Sequence, residues 1–180
     1  MHNLRVKDMT LTALMAAAIC LLAPWTVPVG PIPVTLATFA IYTVSPMLSW
    51  KHGSAAVFVY LMLGLVGLPV FSGFAGGLHR LVGPTGGYLA AYLPMAMVIG
   101  LLTDLAPRRK WLYPLAMVAG TALLYTLGTA WYVLSTGTPL VPALLACVVP
   151  FLPGDGLKIV LASLIAYPMR QRLTKAKSQA

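Results

Sequence analysis

Asp155 and Lys158 are the two residues whose types and spacing could do chemistry. They lie three apart, just after Pro150-Phe-Leu-Pro-Gly, at the head of an apolar run reaching about Met169. On a helix that spacing puts both side chains on one face. A carboxylate accepts N–H groups through charge-assisted bonds, and an ammonium can meet an anion or polarise a carbonyl. Ionisable groups at membrane depth are costly unless paired or wet, and they mark functional sites. The plain alternative is that Asp155 caps a helix and Lys158 snorkels to an interface. Lysine is disfavoured near a helix N-terminus, so something anionic is expected to offset it.

A second candidate is the stretch Gly67-Leu-Pro-Val-Phe-Ser-Gly-Phe-Ala-Gly-Gly77, followed by His79, Arg80 and Gly83-Pro-Thr-Gly-Gly-Tyr88. So much glycine implies backbone at positive φ or in close approach to something. Gly83 to Gly87 resembles a phosphate loop superficially but lacks its Gly-Lys-Ser/Thr ending, which excludes nucleotide binding there. Ser72 and His79 could form a nucleophile and base, but an intramembrane protease would need a special geometry from two residues of one loop. His79 reads as a wet loop residue. Cys20 and Cys147 read as buried small hydrophobes, and with no histidine cluster nearby they make no metal site.

These residues need elements to hold them, and the composition says which kind. Of 180 residues, 59% are hydrophobic and 8% charged, with 12 Lys or Arg against 3 Asp and no Glu. A soluble domain carries about 25% charged residues. Mean hydropathy is +0.88. Together these exclude a soluble domain, a disordered tail and a nucleic-acid-binding protein. The chain reads as an all-α integral membrane protein, one membrane domain over 1–180. Six spans are expected, at about 9–24, 34–49, 54–69, 85–105, 111–134 and 154–170. The segment Val141 to Val149 is too short to span and reads as an interfacial or re-entrant helix. Trp25 to Pro33 holds three prolines and must be a structured loop. A cleaved signal peptide is not expected, since further spans follow the first. No polar stripe lines a pore, which excludes a channel.

Ten of the 12 cations fall on one side of this topology and only Arg80 and Lys158 on the other. Positive charge marks the cytoplasmic side. Both termini are therefore expected in the cytoplasm, with the Gly/Pro-rich loops forming the outer face. Ala13 and Ala17 make a small-xxx-small surface on the first helix, which suits either internal packing or docking of another helix.

Four runs carry a family resemblance: Gly30-Pro-Ile-Pro-Val-Thr-Leu36, Leu63 to Phe74 with Gly76-Gly77, Gly83-Pro-Thr-Gly-Gly-Tyr-Leu89, and Pro150-Phe-Leu-Pro-Gly-Asp155 with Leu157-Lys158. In this order they resemble the BioY family, the biotin-specific S-components of energy-coupling-factor (ECF) vitamin transporters. The resemblance implies a six-helix protein of the prokaryotic plasma membrane that captures biotin from outside. It implies no enzyme and no cofactor. The expected partners are a transmembrane coupling protein and a pair of ATP-binding-cassette ATPases. The family's Asp and Lys linked to biotin fall on Asp155 and Lys158, and its docking face falls on Ala13 and Ala17. Ala37 stands where the family often has Gln, Ala91 near a frequent Gly, and Arg80 is outside the pattern.

Biotin's chemistry suits these residues. Asp155 can accept the ureido N–H groups, and Lys158 or Arg80 can meet the carboxylate. Gly86 and Gly87 can offer backbone N–H groups, and Phe39, Phe71 and Tyr88 can bury the ring and chain, beside Thr35 of the first motif. An S-component for thiamine or riboflavin is the nearest rival, but its flat ligand would call for stacked Trp or Tyr in the outer loops.

Overall fold

The computed structural model describes residues 2–27 and 32–178. Positions 28–31 of the first expected loop, including Gly30 and Pro31, lie outside the described residues.

Helix α1 (His2–Leu22) ends where Pro24 forbids continuation. A two-stranded antiparallel hairpin follows, β1 (Thr26–Val27) pairing with β2 (Val34–Thr35), with Thr26 opposite Thr35. Helix α2 (Ala37–Met47) leads through Leu48 and Ser49 into α3 (Trp50–Val66). Gly67 caps α3 at φ +115°, and its N–H returns to the last carbonyls, a conformation glycine adopts without steric cost. The Gly/Pro-rich stretch then folds as a tight loop, a short helix α4 (His79–Val82) and the start of α5 (Gly86–Leu105). Helices α6 (Leu112–Thr136), α7 (Leu140–Cys147) and α8 (Leu152–Ser178) complete the chain, with a 3-10 turn at Val149–Phe151 before α8.

Among the described residues, three helical stretches are long and apolar enough to cross a membrane, Gly86–Leu105, Leu112–Thr136 and the α7–α8 run Leu140–Ala176. Trp50–Val66 is apolar but shorter. Large apolar side chains crowd the outside, with Val66, Leu105 and Leu134 all more than three-quarters exposed. Such a surface is stable only against lipid. The chain is a multi-pass membrane protein.

The expected fourth and fifth spans coincide with α5 and α6 to within two residues. Elsewhere the boundaries need correction. Val34 and Thr35 open the expected second span but are a strand, because a short apolar run is compatible with either structure. Trp50-Lys-His-Gly53, left between the expected second and third spans, is the first turn of α3. Pro150 to Pro153, left between the expected short helix and the sixth span, are already helical, since proline is tolerated in a helix's first turn. The polar ends are helical as well, from His2 and to Ser178, because Lys, Arg and Gln are good helix formers wherever water bathes them.

In the interior α5 packs on α6 and α3, and α2 on α8. Glycine lets α5 and α6 meet closely: a Cβ on Gly120 would collide with Ile99, and one on Gly128 with the Tyr88 ring. Two tyrosines buried against α6 are paired with its threonines, Tyr42 Oη of α2 with Thr121 Oγ1 at 2.5 Å and Tyr88 Oη of α5 with Thr129 Oγ1 at 2.9 Å.

Candidate functional site

A cavity of about 170 Å³ lies where β2, the 67–77 loop and the facing turns of α5, α6 and α8 converge. Three helices and a hairpin supply its polar floor. Asp155 sits one turn into α8 and is 4% exposed. Its Oδ1 accepts Lys158 Nζ at 2.9 Å, and its Oδ2 accepts the Tyr125 hydroxyl of α6 at 2.6 Å. Lys158 Nζ also donates to the Thr35 carbonyl at 2.9 Å and to Thr38 Oγ1 at 3.0 Å.

A lysine ammonium has three N–H donors and a carboxylate about four lone-pair sites. Lys158 is therefore saturated by protein, whereas Asp155, which lines the cavity, keeps acceptor capacity. The ion pair is nearly dry, with side-chain exposures of 12% and 6%. It also explains how lysine sits near the head of α8: Asp155, one turn back on the same face, is the anion that offsets it. The carboxylate's bonds to Tyr125 and Lys158 take the place of the helix-capping alternative.

Arg80 lines the cavity and is exposed, so it stands at the rim. Its backbone N–H is bonded to the Gly77 carbonyl at 3.2 Å, but no side-chain hydrogen bond or ion pair holds the guanidinium among the described residues. Ser72 Oγ also lines the cavity, buried and without a hydrogen-bond partner among the described residues. A serine–histidine dyad with His79 is thus not formed.

Phe71 provides an apolar wall. It is 1% exposed and meets Tyr60 edge-on at 5.7 Å between centroids. Gly64 lies under the ring, where a Cβ would overlap it. The loop that presents Phe71 closes on itself through Phe71 N–H to the Ala75 carbonyl at 2.8 Å, and turns at Gly73 with φ +71°. Gly73 N–H also donates to the Pro24 carbonyl at 3.0 Å, tying the loop to the end of α1.

Of the expected site residues, Asp155, Lys158, Tyr88, Arg80, Thr35 and Phe71 all line the cavity. Phe39, Gly86 and Gly87 do not. On α2 it is Thr38 that faces the cavity, and its neighbour Phe39 is turned about 100° away, as helical geometry requires. A Cβ on Gly86 would strike the Leu81 carbonyl, and one on Gly87 the Trp131 side chain. Gly86 N–H is already bonded to the Gly83 carbonyl at 2.9 Å. Close packing by itself requires glycine at these two positions. Thr35 contributes its carbonyl to Lys158, while its hydroxyl accepts Ala37 N–H at 3.1 Å.

The residue reading missed Tyr125, Thr38 and Tyr92. For Tyr125 a signal exists: Thr121, Tyr125 and Thr129 recur every four residues through an otherwise apolar helix, marking its inward face. Ala13 and Ala17 are exposed on α1 while Ala16 between them is buried, so their face has no partner within the bundle.

Comparison with known proteins was made against this geometry. The family model described as the BioY family matches residues 1–175. Biotin transporter BioY of Thermotoga maritima is 39% identical over 156 residues, covering 86% of this chain and 90% of its own. Biotin transporter BioY2 of Lactococcus lactis subsp. cremoris is 32% identical over 174 residues, covering 97% and 96%. A crystal structure of the S-component for biotin from an ECF-type ABC transporter superposes with TM-score 0.88 at 30% identity, over 95% of this chain and 94% of that one.

Proposed function

The chain belongs to the BioY family, and from that premise we propose that its cavity captures biotin as the substrate-binding component of an ECF-type transporter. The observation that carries this reading is the buried Asp155, which lines the cavity and whose carboxylate is held by two donors with acceptor capacity left over. A ureido ring offers two N–H groups to such an acceptor. Arg80, unpaired at the rim, meets the carboxylate at the other end of the ligand. Ser72 Oγ supplies a further polar contact, and Phe71 with Leu89 and Leu124 encloses the apolar ring and chain. Lys158 acts through Asp155 and Thr35 rather than on the ligand.

In this reading α1, α2, α3, α5, α6 and α8 are the six membrane helices of a prokaryotic plasma-membrane protein. Both termini are cytoplasmic and the cavity faces outward, which the ten cations on the opposite side support. The component is not an enzyme and uses no cofactor. Energy comes from a pair of ATPases through a transmembrane coupling protein docked on the Ala13 and Ala17 face.

The test is calorimetric titration of the purified protein in detergent with biotin, thiamine and riboflavin. Biotin alone is expected to bind, one per chain. Saturable binding of thiamine or riboflavin, with biotin inert, would replace this reading by the rival vitamin.

A further inference from the structure

The head of α6 and the second half of α8 leave a groove of about 530 Å³ between them. Pro168 in its wall is thirteen residues along α8 from Asp155, about 20 Å away. The groove therefore lies toward the other end of the bundle from the cavity. Its walls change character along their length. Lys110 and Trp111, both exposed, stand at one end, and Pro114, Leu164 and Pro168 continue it as an apolar trough. Tyr113 and Tyr167 cross edge-on at 5.4 Å beside it, and the Tyr167 hydroxyl donates to the Arg108 carbonyl at 3.3 Å. That bond ties α8 to the run Arg108-Arg109-Lys110, of which Lys110 lines the groove. None of the three has an ion-pair partner among the described residues.

A cationic mouth, an indole beside it and an apolar trough match an amphiphile with an anionic head. We propose that this groove is a binding site for one anionic phospholipid. Its phosphate lies against Lys110, Trp111 packs at the depth of the glycerol, and one acyl chain runs along Pro114 and Pro168 toward Leu164. A protein partner fits less well, because the exposed small-residue face is on α1, which packs chiefly on α3 and α2 rather than beside this groove. The inference needs the membrane setting but not the identity of the transported substrate.

Native mass spectrometry of the detergent-solubilised protein tests it, with phosphatidylglycerol and phosphatidylcholine of identical chains as probes. One phosphatidylglycerol per protein should survive activation that strips phosphatidylcholine. Lys110→Gln should lower its occupancy at least fivefold at equal lipid. Ser163→Phe, which fills the groove without touching its charge, should do the same. Arg172→Gln with Lys175→Gln, on the exposed end of α8 outside the groove, should leave occupancy unchanged. Excess glycerol 3-phosphate should not displace the lipid, because the acyl chain is held too. Equal retention of both lipids would overturn the proposal. So would an equal loss in the α8-end variant, which would mean diffuse attraction, or displacement by glycerol 3-phosphate, which would mean a phosphate site only. Full occupancy in both Lys110→Gln and Ser163→Phe would overturn it as well, leaving the groove to another occupant such as a coupling protein.

Discussion

Asp155 and Lys158 form one ion pair, yet substitution should separate their roles. Truncating one partner of a desolvated charged pair costs about 2–5 kcal/mol of binding when the pair faces a ligand. Asp155→Asn keeps the shape and removes the charge, so biotin affinity should fall at least tenfold in calorimetry. Unchanged affinity would reduce the carboxylate to a purely structural group. Lys158 spends all three donors on Asp155, Thr35 and Thr38. Lys158→Met strands a buried carboxylate, a class of change that costs about 3–5 kcal/mol of stability. Its thermal midpoint should drop along with its affinity, and a normal midpoint with lost affinity would instead put Lys158 on the ligand. Arg80 is tested by changing the ligand. Arg80→Gln should bind biotin roughly tenfold more weakly, about 1.4 kcal/mol. It should bind biotin amide, which lacks the carboxylate, as well as the parent does. An equal loss for both ligands would remove Arg80 from the carboxylate.

Among the helices, α1 stands apart. Ala16 and Ile19 point into the bundle, while Ala13 and Ala17 are exposed on its outside. Small residues let a second helix approach closely, and this face is left exposed among the described residues. Ala17→Trp should therefore abolish uptake by the assembled transporter in cells while leaving biotin binding to the isolated protein intact. If binding is lost with uptake, the face packs internally after all. The α5–α6 seam is the opposite case. The space beside Gly87, Gly120 and Gly128 there is filled by Trp131, Ile99 and Tyr88, so the small residues of this seam serve internal packing, and only Tyr88 among those side chains also lines the cavity.

The molecule as a whole is fastened by α8 at both ends. Near the cavity, Lys158 reaches β2 and α2. At the far end, Arg170 donates to the Pro46 carbonyl of α2 at 3.1 Å and pairs with Asp104 of α5, which in turn accepts Trp50 N–H of α3 at 2.9 Å. Four helices thus share one guanidinium and one carboxylate. The pair is partly wet, with side-chain exposures of 12% and 24%, so its loss should cost less than that of the drier Asp155 pair, about 1–2 kcal/mol. Arg170→Met should lower the thermal midpoint in detergent, and Arg170→Lys should fall between, because lysine cannot span Pro46 and Asp104 with a fixed fork. A lysine variant as stable as the parent would mean that charge alone matters and the clasp does not.

Composition and hydropathy were sufficient to establish a membrane protein, because lipid accepts only chains that satisfy their own backbone and shed their charges. Spacing alone put Asp155 and Lys158 on one face, since that depends only on helical pitch. Local patterning also marked α5 and α6 closely, where a long apolar helix begins and ends in glycine, proline or charge. The rest came from contacts distant in sequence. Lys158 meets Thr35 across 123 positions, and Tyr125 meets Asp155 across 30. No periodicity records such pairings, so which cation is saturated and which is free could be counted only in the folded chain. The same holds for glycine: Gly86 and Gly87 look alike whether they face a ligand or a neighbouring side chain, and only the positions of Leu81 and Trp131 distinguish the two.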